Sequence, residues 1–125
     1  MTAIHLDTSF LIRALVAGTA ESTRLTRWLS DDRRLHMSIV AWSEFLCGPL
    51  DAEQCALARA IVGPPAPLDE RAAELAAAMF NRSGRKRGSL SDCLIAATAV
   101  RAGAPLATSN PKDFTALTAL GLEIA

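Results

Sequence analysis

The sequence predicts an α/β domain in which a small parallel β-sheet is covered by helices on both faces. Two observations carry this expectation. Short apolar runs near residues 3–6, 35–38 and 105–108 alternate with longer segments whose apolar residues recur at helical spacing, the pattern of strands joined by crossover helices. Breakers then fall where those helices would end, at Gly18, Gly48-Pro49, Gly63-Pro64-Pro65 and Gly103. The 125 residues, 50% apolar and 21% charged, fit a single domain over residues 1–125. A chain of this length buries about two-thirds of its unfolded surface, so neither a disulfide nor a metal is required to hold it together.

Each element has its own signal. Ala3 to Leu6 reads as a short buried strand. Thr8 to Val16 follows as a helix with a wide apolar face, ended by Gly18. Glu21 to Ser30 is a second helix on the stripe Leu25, Trp28 and Leu29, and Asp31-Asp32-Arg33-Arg34 turns the chain. Leu35 to Ser38 is a second strand, and Ile39 to Cys47 a helix stopped by Gly48-Pro49. Asp51 to Val62 is helical through Cys55, Leu57, Ala58 and Ile61. Asp69 to Asn81 is an Ala-rich helix, and Arg82 to Ser89 a basic loop. Ser91 is placed to cap the helix that runs to Arg101 and ends at Gly103. Pro105 to Thr108 is a third strand, Ser109-Asn110-Pro111 a turn, and Phe114 to Leu120 a last short helix.

Composition excludes several classes. Lys plus Arg and Asp plus Glu are 13 each, so no global basic field draws the chain to nucleic acid, and any such contact is local. Cys47, Cys55 and Cys93 form no Cys-x-x-Cys pair, and His5 and His36 share no ligand spacing, which speaks against a disulfide framework and a zinc knuckle. The first residues lack the basic and long apolar regions of a signal peptide, and no apolar run reaches the ~20 residues of a membrane span. A cytoplasmic setting without membrane partners is expected.

Three acids stand out against apolar surroundings. Asp7 follows the first strand, Glu44 lies within Ile39-Val40-Ala41-Trp42-Ser43-Glu44-Phe45-Leu46, and Asp92 opens an otherwise apolar helix. A buried carboxylate is costly without a cationic partner. Each acid alone has an ordinary use: Asp7 as an N-cap, Glu44 as a side chain reaching out from the core edge, Asp92 as a first-turn acid on the helix dipole. One oxygen-lined pocket for a hard divalent ion accounts for all three together. In parallel α/β sheets such a pocket forms at the carboxyl ends of the strands, where Asp7 and Ser109-Asn110 would lie.

Four segments in order resemble the PIN-domain ribonucleases, specifically the VapC-type toxins of type II toxin–antitoxin pairs. They are Leu6-Asp7-Thr8-Ser9, the run from Ser38 to Gly48, the run from Leu90 to Ala99, and the run from Leu106 to Phe114. The resemblance implies a PIN-like fold and an endoribonuclease that hydrolyses RNA phosphodiester bonds with a water activated by Mg²⁺ or Mn²⁺. Asp7, Glu44 and Asp92 match the first three acids of the family, as both metal ligands and catalytic groups. The fourth position falls on Asn110 or Asp113. Asn110 departs from the all-Asp pattern and is a neutral oxygen donor, which leaves the number of metals open. The resemblance further implies a homodimer and a cognate VapB-type antitoxin seated in a groove. Phe10, Leu11, Leu15, Leu25, Trp28 and Leu29 are candidates for core and partner face alike.

Ser9, Thr108 and Ser109 are placed to orient water or carboxylates around the metal ligands, Ser9 and Thr108 foremost, whereas Thr8 reads as a local cap. Arg82, Arg85, Lys86 and Arg87 form the one dense basic cluster, either a solvated loop or a grip on the RNA backbone beside the acids. If Glu44 is perturbed by its apolar neighbours, it is the candidate to take a proton from water. A receiver domain fits poorly, since Asp51 starts a helix and Lys112 sits in a turn, and a haloacid-dehalogenase-type phosphatase needs an acid where Ser9 stands. A catalytically inactive PIN-like binding module is the alternative.

Overall fold

A computed structural model describes residues 3–125. Strands β1 (Ile4–Leu6), β2 (Leu35–His36) and β3 (Leu106–Ala107) form one parallel sheet in the order β2-β1-β3. Ile4 pairs with Leu35, His5 with both His36 and Leu106, and Leu6 with Ala107. Among the described residues seven α-helices surround the sheet: α1 (Thr8–Ala14), α2 (Ala20–Ser30), α3 (Ile39–Leu46), α4 (Ala52–Val62), α5 (Glu70–Arg82), α6 (Leu90–Arg101) and α7 (Thr115–Thr118). Single parallel bridges from Ser38 to Ala66 and from Leu106 to Ile124 extend the pairing beyond the strands.

Polar caps set most helix starts. The side chains of Asp7, Thr19, Ser38 and Asp69 each accept from a backbone N–H in the first turn of α1, α2, α3 and α5, and Asp51 and Gln54 form a reciprocal capping box on α4. The start of α6 differs from expectation. Ser91 lies inside the helix, Ser89 occupies the cap position, and the Ser89 hydroxyl donates to the Lys86 carbonyl rather than to the helix. The expected last helix, Phe114 to Leu120, is shorter, with α7 covering Thr115–Thr118, and the turn expected at Ser109-Asn110-Pro111 continues as a 3-10 turn, Pro111–Asp113, with Pro111 at its first position.

The core lies between the sheet and the inner faces of α1, α3, α5 and α6, where Leu6, Phe10, Leu11, Met37, Phe45 and Phe114 are fully buried. Phe10, Leu11 and Leu25 are therefore core residues and present nothing to a partner; Leu15 and Trp28 are half-buried, and Leu29 is exposed. β1 is buried at all three positions, as the central strand of a parallel sheet must be. This encloses His5, whose imidazole stacks 6.1 Å from His36 on the neighbouring strand. Burial, with His36 adding to it, lowers the His5 pKa from 6.5 to about 4.

Helices α5 and α6 pack through alanines. Ala72, Ala76 and Met79 form the buried stripe of α5, and Ala96, Ala97 and Ala99 are buried on α6. Small side chains bring the two backbones close, so an enlarged residue has nowhere to go. Ala76→Leu should cost about 1–3 kcal/mol through overpacking, while Ala77→Leu on the exposed side should stay within about 0.5 kcal/mol. Urea denaturation of the two variants measures the difference.

Candidate active site

Asp7 organises the carboxyl ends of the strands. It leaves β1, and its backbone N–H bonds Ala107 of β3 at 3.0 Å. Its side chain, 5% exposed, receives three hydrogen bonds. The Ser9 hydroxyl (2.7 Å) and the Phe10 N–H (2.9 Å) donate to Oδ1, and the Thr108 hydroxyl (2.6 Å) donates to Oδ2. Each hydroxyl is itself held, because the Ser109 N–H donates to Ser9 Oγ and the Asn110 N–H to Thr108 Oγ1, at 3.1 and 3.0 Å. The loop after β3 is thus fastened to the cap of α1. Asp7 caps that helix and also faces the cavity, so the two uses coincide.

The cavity measures about 260 Å³ and is walled by Asp7, Thr8, Ser9, Glu44, Asp92, Asn110 and Asp113, with Ile12, Ile95 and Phe114 as its apolar lining. All five oxygen-bearing residues singled out as ligands in the sequence face it. Glu44 departs from expectation in environment. On α3 the buried positions are Ala41 and Phe45, and Glu44 is exposed. The short helix leaves Ile39 and Leu46 exposed as well, so an apolar sequence neighbourhood did not translate into an apolar enclosure. Thr8 caps nothing; its hydroxyl lies 3.0 Å from Glu44 Oε1 and 3.1 Å from the Ala41 carbonyl oxygen, linking α1 to α3.

The perturbed acid is Asp92. Burial raises its pKa from 3.8 to about 6, with repulsion from Asp113, Glu44 and Asp7 adding to the shift and Lys86 opposing it. Among the described residues the ion pairs are Arg13–Glu21 and Arg101–Asp69, so none of the pocket's acids is matched by a cation at contact distance. The all-oxygen donor set suits a hard divalent ion. Among the described residues no three Asp, Glu, His or Cys side chains converge tightly enough to hold one directly. The acids ring the cavity instead, an arrangement that fits an ion such as Mg²⁺, which keeps several of its waters and takes one or two carboxylates.

The basic loop is divided. Lys86 and Arg87 line a cavity of about 260 Å³ that opens onto Asp92 and Asp113, and Lys86 also lines a smaller one, about 90 Å³, with Lys112. Arg82 and Arg85 are exposed and line neither. Two residues, Lys112 and Glu21, escaped the sequence reading as members of this end of the molecule. Lys112 approaches from the 3-10 turn. Ser109 donates its hydroxyl to Glu21 at 2.6 Å, and Glu21 accepts from Arg13 at 2.9 Å. The Ser109 hydroxyl, aided by Arg13, holds the Glu21 carboxyl below the usual range. This pair ties the start of α2 to the loop that carries Asn110.

Fold and pocket together define an α/β domain with an oxygen-lined acidic cavity at the carboxyl ends of a parallel sheet, where such domains place their ligands. The chain belongs to the PIN-domain family, whose profile matches residues 4–120. Comparison with curated proteins finds no match. Among solved structures it is similar to VapBC2 from Rickettsia felis bound to a promoter DNA fragment, with a TM-score of 0.78 and 15% identity over 99% of this chain and 98% of the other. VapBC-1 from nontypeable Haemophilus influenzae gives a TM-score of 0.73 at 24% identity, covering 99% and 97%. VapBC-5 from Mycobacterium tuberculosis, from a family of toxin–antitoxin systems, gives 0.64 at 25% identity, covering 99% and 98%.

Asp92 sets a pH dependence. Its folded pKa is raised, so the folded chain holds this proton longer than the unfolded chain does. Its stabilising contribution is complete below about pH 4 and is lost as pH rises to about 6. Asp92→Asn should therefore raise the Tm relative to the parent at pH 7.5 and leave it unchanged at pH 3.5, measured by thermal unfolding in chelator.

Proposed function

We propose that this protein is a VapC-type toxin, a metal-dependent endoribonuclease held in check by a cognate antitoxin. The observation that carries this reading is one cavity walled by four carboxylates and a carboxamide without a cation paired to any of them. PIN-family membership and the fold shared with VapBC complexes support it. Asp7, Glu44, Asp92, Asn110 and Asp113 are the residues that would hold Mg²⁺ or Mn²⁺. Such an ion supplies charge for the phosphoryl oxygens and acidifies water at neutral pH.

The chain's own residues account for the rest. Asp7, fixed by Ser9, Phe10 and Thr108, contributes a carboxylate whose direction does not drift. Glu44 is held more loosely, by one hydroxyl proton of Thr8 that the Ala41 carbonyl also competes for. Asp92, whose pKa burial and the neighbouring acids raise to about 6, would be drawn back to the charged form by a bound cation, which suits it to hold the ion; Glu44 is exposed, so the apolar surroundings expected to make it a base are missing. Lys86, Arg87 and Lys112 stand where the phosphates flanking the scissile bond would approach the acids. Without them the RNA backbone would meet only like charge.

An apolar cavity of about 180 Å³, lined by Ile12, Leu15, Val16, Phe45, Pro49 and Leu50, adjoins the acidic pocket through the shared Ile12. Val16 is 55% exposed there. It suits the apolar face of an antitoxin segment whose tail then reaches the acids. In our reading the protein is a homodimer acting in the cytoplasm as one domain. Three free cysteines suit a reducing compartment, and among the described residues no helix is long and apolar enough to cross a membrane.

Incubation of purified protein with RNA and Mn²⁺ or Mg²⁺ should yield cleavage that chelator abolishes. Asp7→Asn should reduce it to background, and Ser9→Ala by about 10- to 100-fold. Metal-dependent cleavage that survives in Asp7→Asn would sink the assignment of the site, and absence of any cleavage by the parent would favour a binding module. Val16→Glu should cleave RNA as the parent does yet escape inhibition by the antitoxin, read out by digests with both proteins present.

A further inference from the structure

The amino ends of the strands carry a second cavity, about 370 Å³, on the opposite side of the sheet from the acids. Arg24, Arg27 and Arg33 line it, with Trp28 and Glu123. β1 separates the two sites by about 10 Å along its length, and the proposed cleavage chemistry uses none of these residues. We propose that this cavity binds a phosphate ester, the phosphate of a ribonucleotide or of an RNA strand.

Three features favour an oxyanion. The Nε of Arg33 is buried and has no hydrogen-bond partner; a buried donor left unsatisfied is costly and calls for an acceptor. Arg24 is stacked, its guanidinium carbon 4.8 Å from the Trp28 ring centroid and 5.5 Å from that of Phe10. Stacking fixes the plane of the guanidinium and leaves its N–H edge free for two oxygens at once. Arg24 and Arg27 sit three residues apart on α2 and face the same side, and no ion pair joins either of them, or Arg33, to an acid among the described residues.

The wall also contains an acid, Glu123, which disfavours a bare anion filling the whole space. A carboxylate accepts hydrogen bonds from hydroxyls, so it suits the sugar of a ribose phosphate whose phosphate lies against the arginines. The volume is that of a small-ligand pocket, typically ~300–1,000 Å³.

The test is an NMR titration of the full chain in chelator, which keeps the acidic pocket out of the measurement. Inorganic phosphate, uridine 5′-monophosphate and a 2′-O-methylated oligoribonucleotide are added at constant ionic strength. The Arg33 Nε–H and the Trp28 indole N–H should shift saturably, while the Trp42 indole, remote from the cavity, stays still. Chloride should produce no such shift. Arg27→Ala, at an exposed position that leaves packing intact, should weaken binding about tenfold or more. Tighter binding of the monophosphate than of inorganic phosphate supports recognition of the sugar, and tighter binding of the oligonucleotide supports an RNA strand as the source. Resonances that do not move, that follow ionic strength alone, or that respond equally in Arg27→Ala would overturn the proposal. Because nothing is cleaved in this experiment, its outcome is independent of whether the acidic pocket is a nuclease site.

Discussion

The hydrogen bonding of one carboxylate fixes the architecture at the working end of this molecule. Asp7 caps α1, its backbone pairs with β3, and its two oxygens take up the hydroxyls of Ser9 and Thr108. Those hydroxyls in turn accept the N–H groups of Ser109 and Asn110. A donor relayed through a hydroxyl onto a charged acceptor is a strong use of both groups. The consequence is that the loop after β3, which has only a 3-10 turn for regular structure, is tied through these bonds to the start of α1. Asn110 and Asp113 depend on it for their place at the cavity.

Around that anchor, charge is arranged against its own preference. Four acids share a cavity, and at half-buried Asp92 burial and the repulsion from the other three together raise the pKa. The alanine packing of α5 against α6 helps to enforce this. Ala96, Ala97 and Ala99 keep α6 deep in the molecule, and Asp92, in its first turn, is carried into the site. The chain therefore spends folding energy holding a poorly solvated acid near its neighbours, a disposition characteristic of functional sites rather than of structural ones.

The sequence exposed this site unevenly, and the reasons are physical. Asp7, Asp92 and the strand-end position of Asn110 were legible because a polar residue in or beside an apolar run contradicts the local pattern. Glu44 was legible for a weaker reason, since apolar neighbours in sequence become enclosing neighbours only if the helix is surrounded, and α3 is not. The link between Ser109 and Glu21 joins residues 88 positions apart, and no local pattern announces such a bond. The same holds for Arg24, Arg27 and Arg33, which only the fold brings to one cavity. Helix boundaries were displaced where the cap chemistry was misjudged, as with Ser89 and Ser91, and the last helix is shorter than its apolar pattern suggests.

The histidine enclosed in β1 has a consequence of its own. With its pKa lowered to about 4, His5 resists protonation in the folded chain, so acidification from about pH 6.5 towards 4 favours the unfolded state. Asp92 acts in the reverse sense over nearly the same interval. Two groups, His5 buried in β1 as a neutral base and Asp92 crowded in the first turn of α6 as a reluctant acid, thus exert opposed proton linkages. Their slopes oppose each other between about pH 4 and 6, leaving a resilience to mild acid that neither group would confer alone.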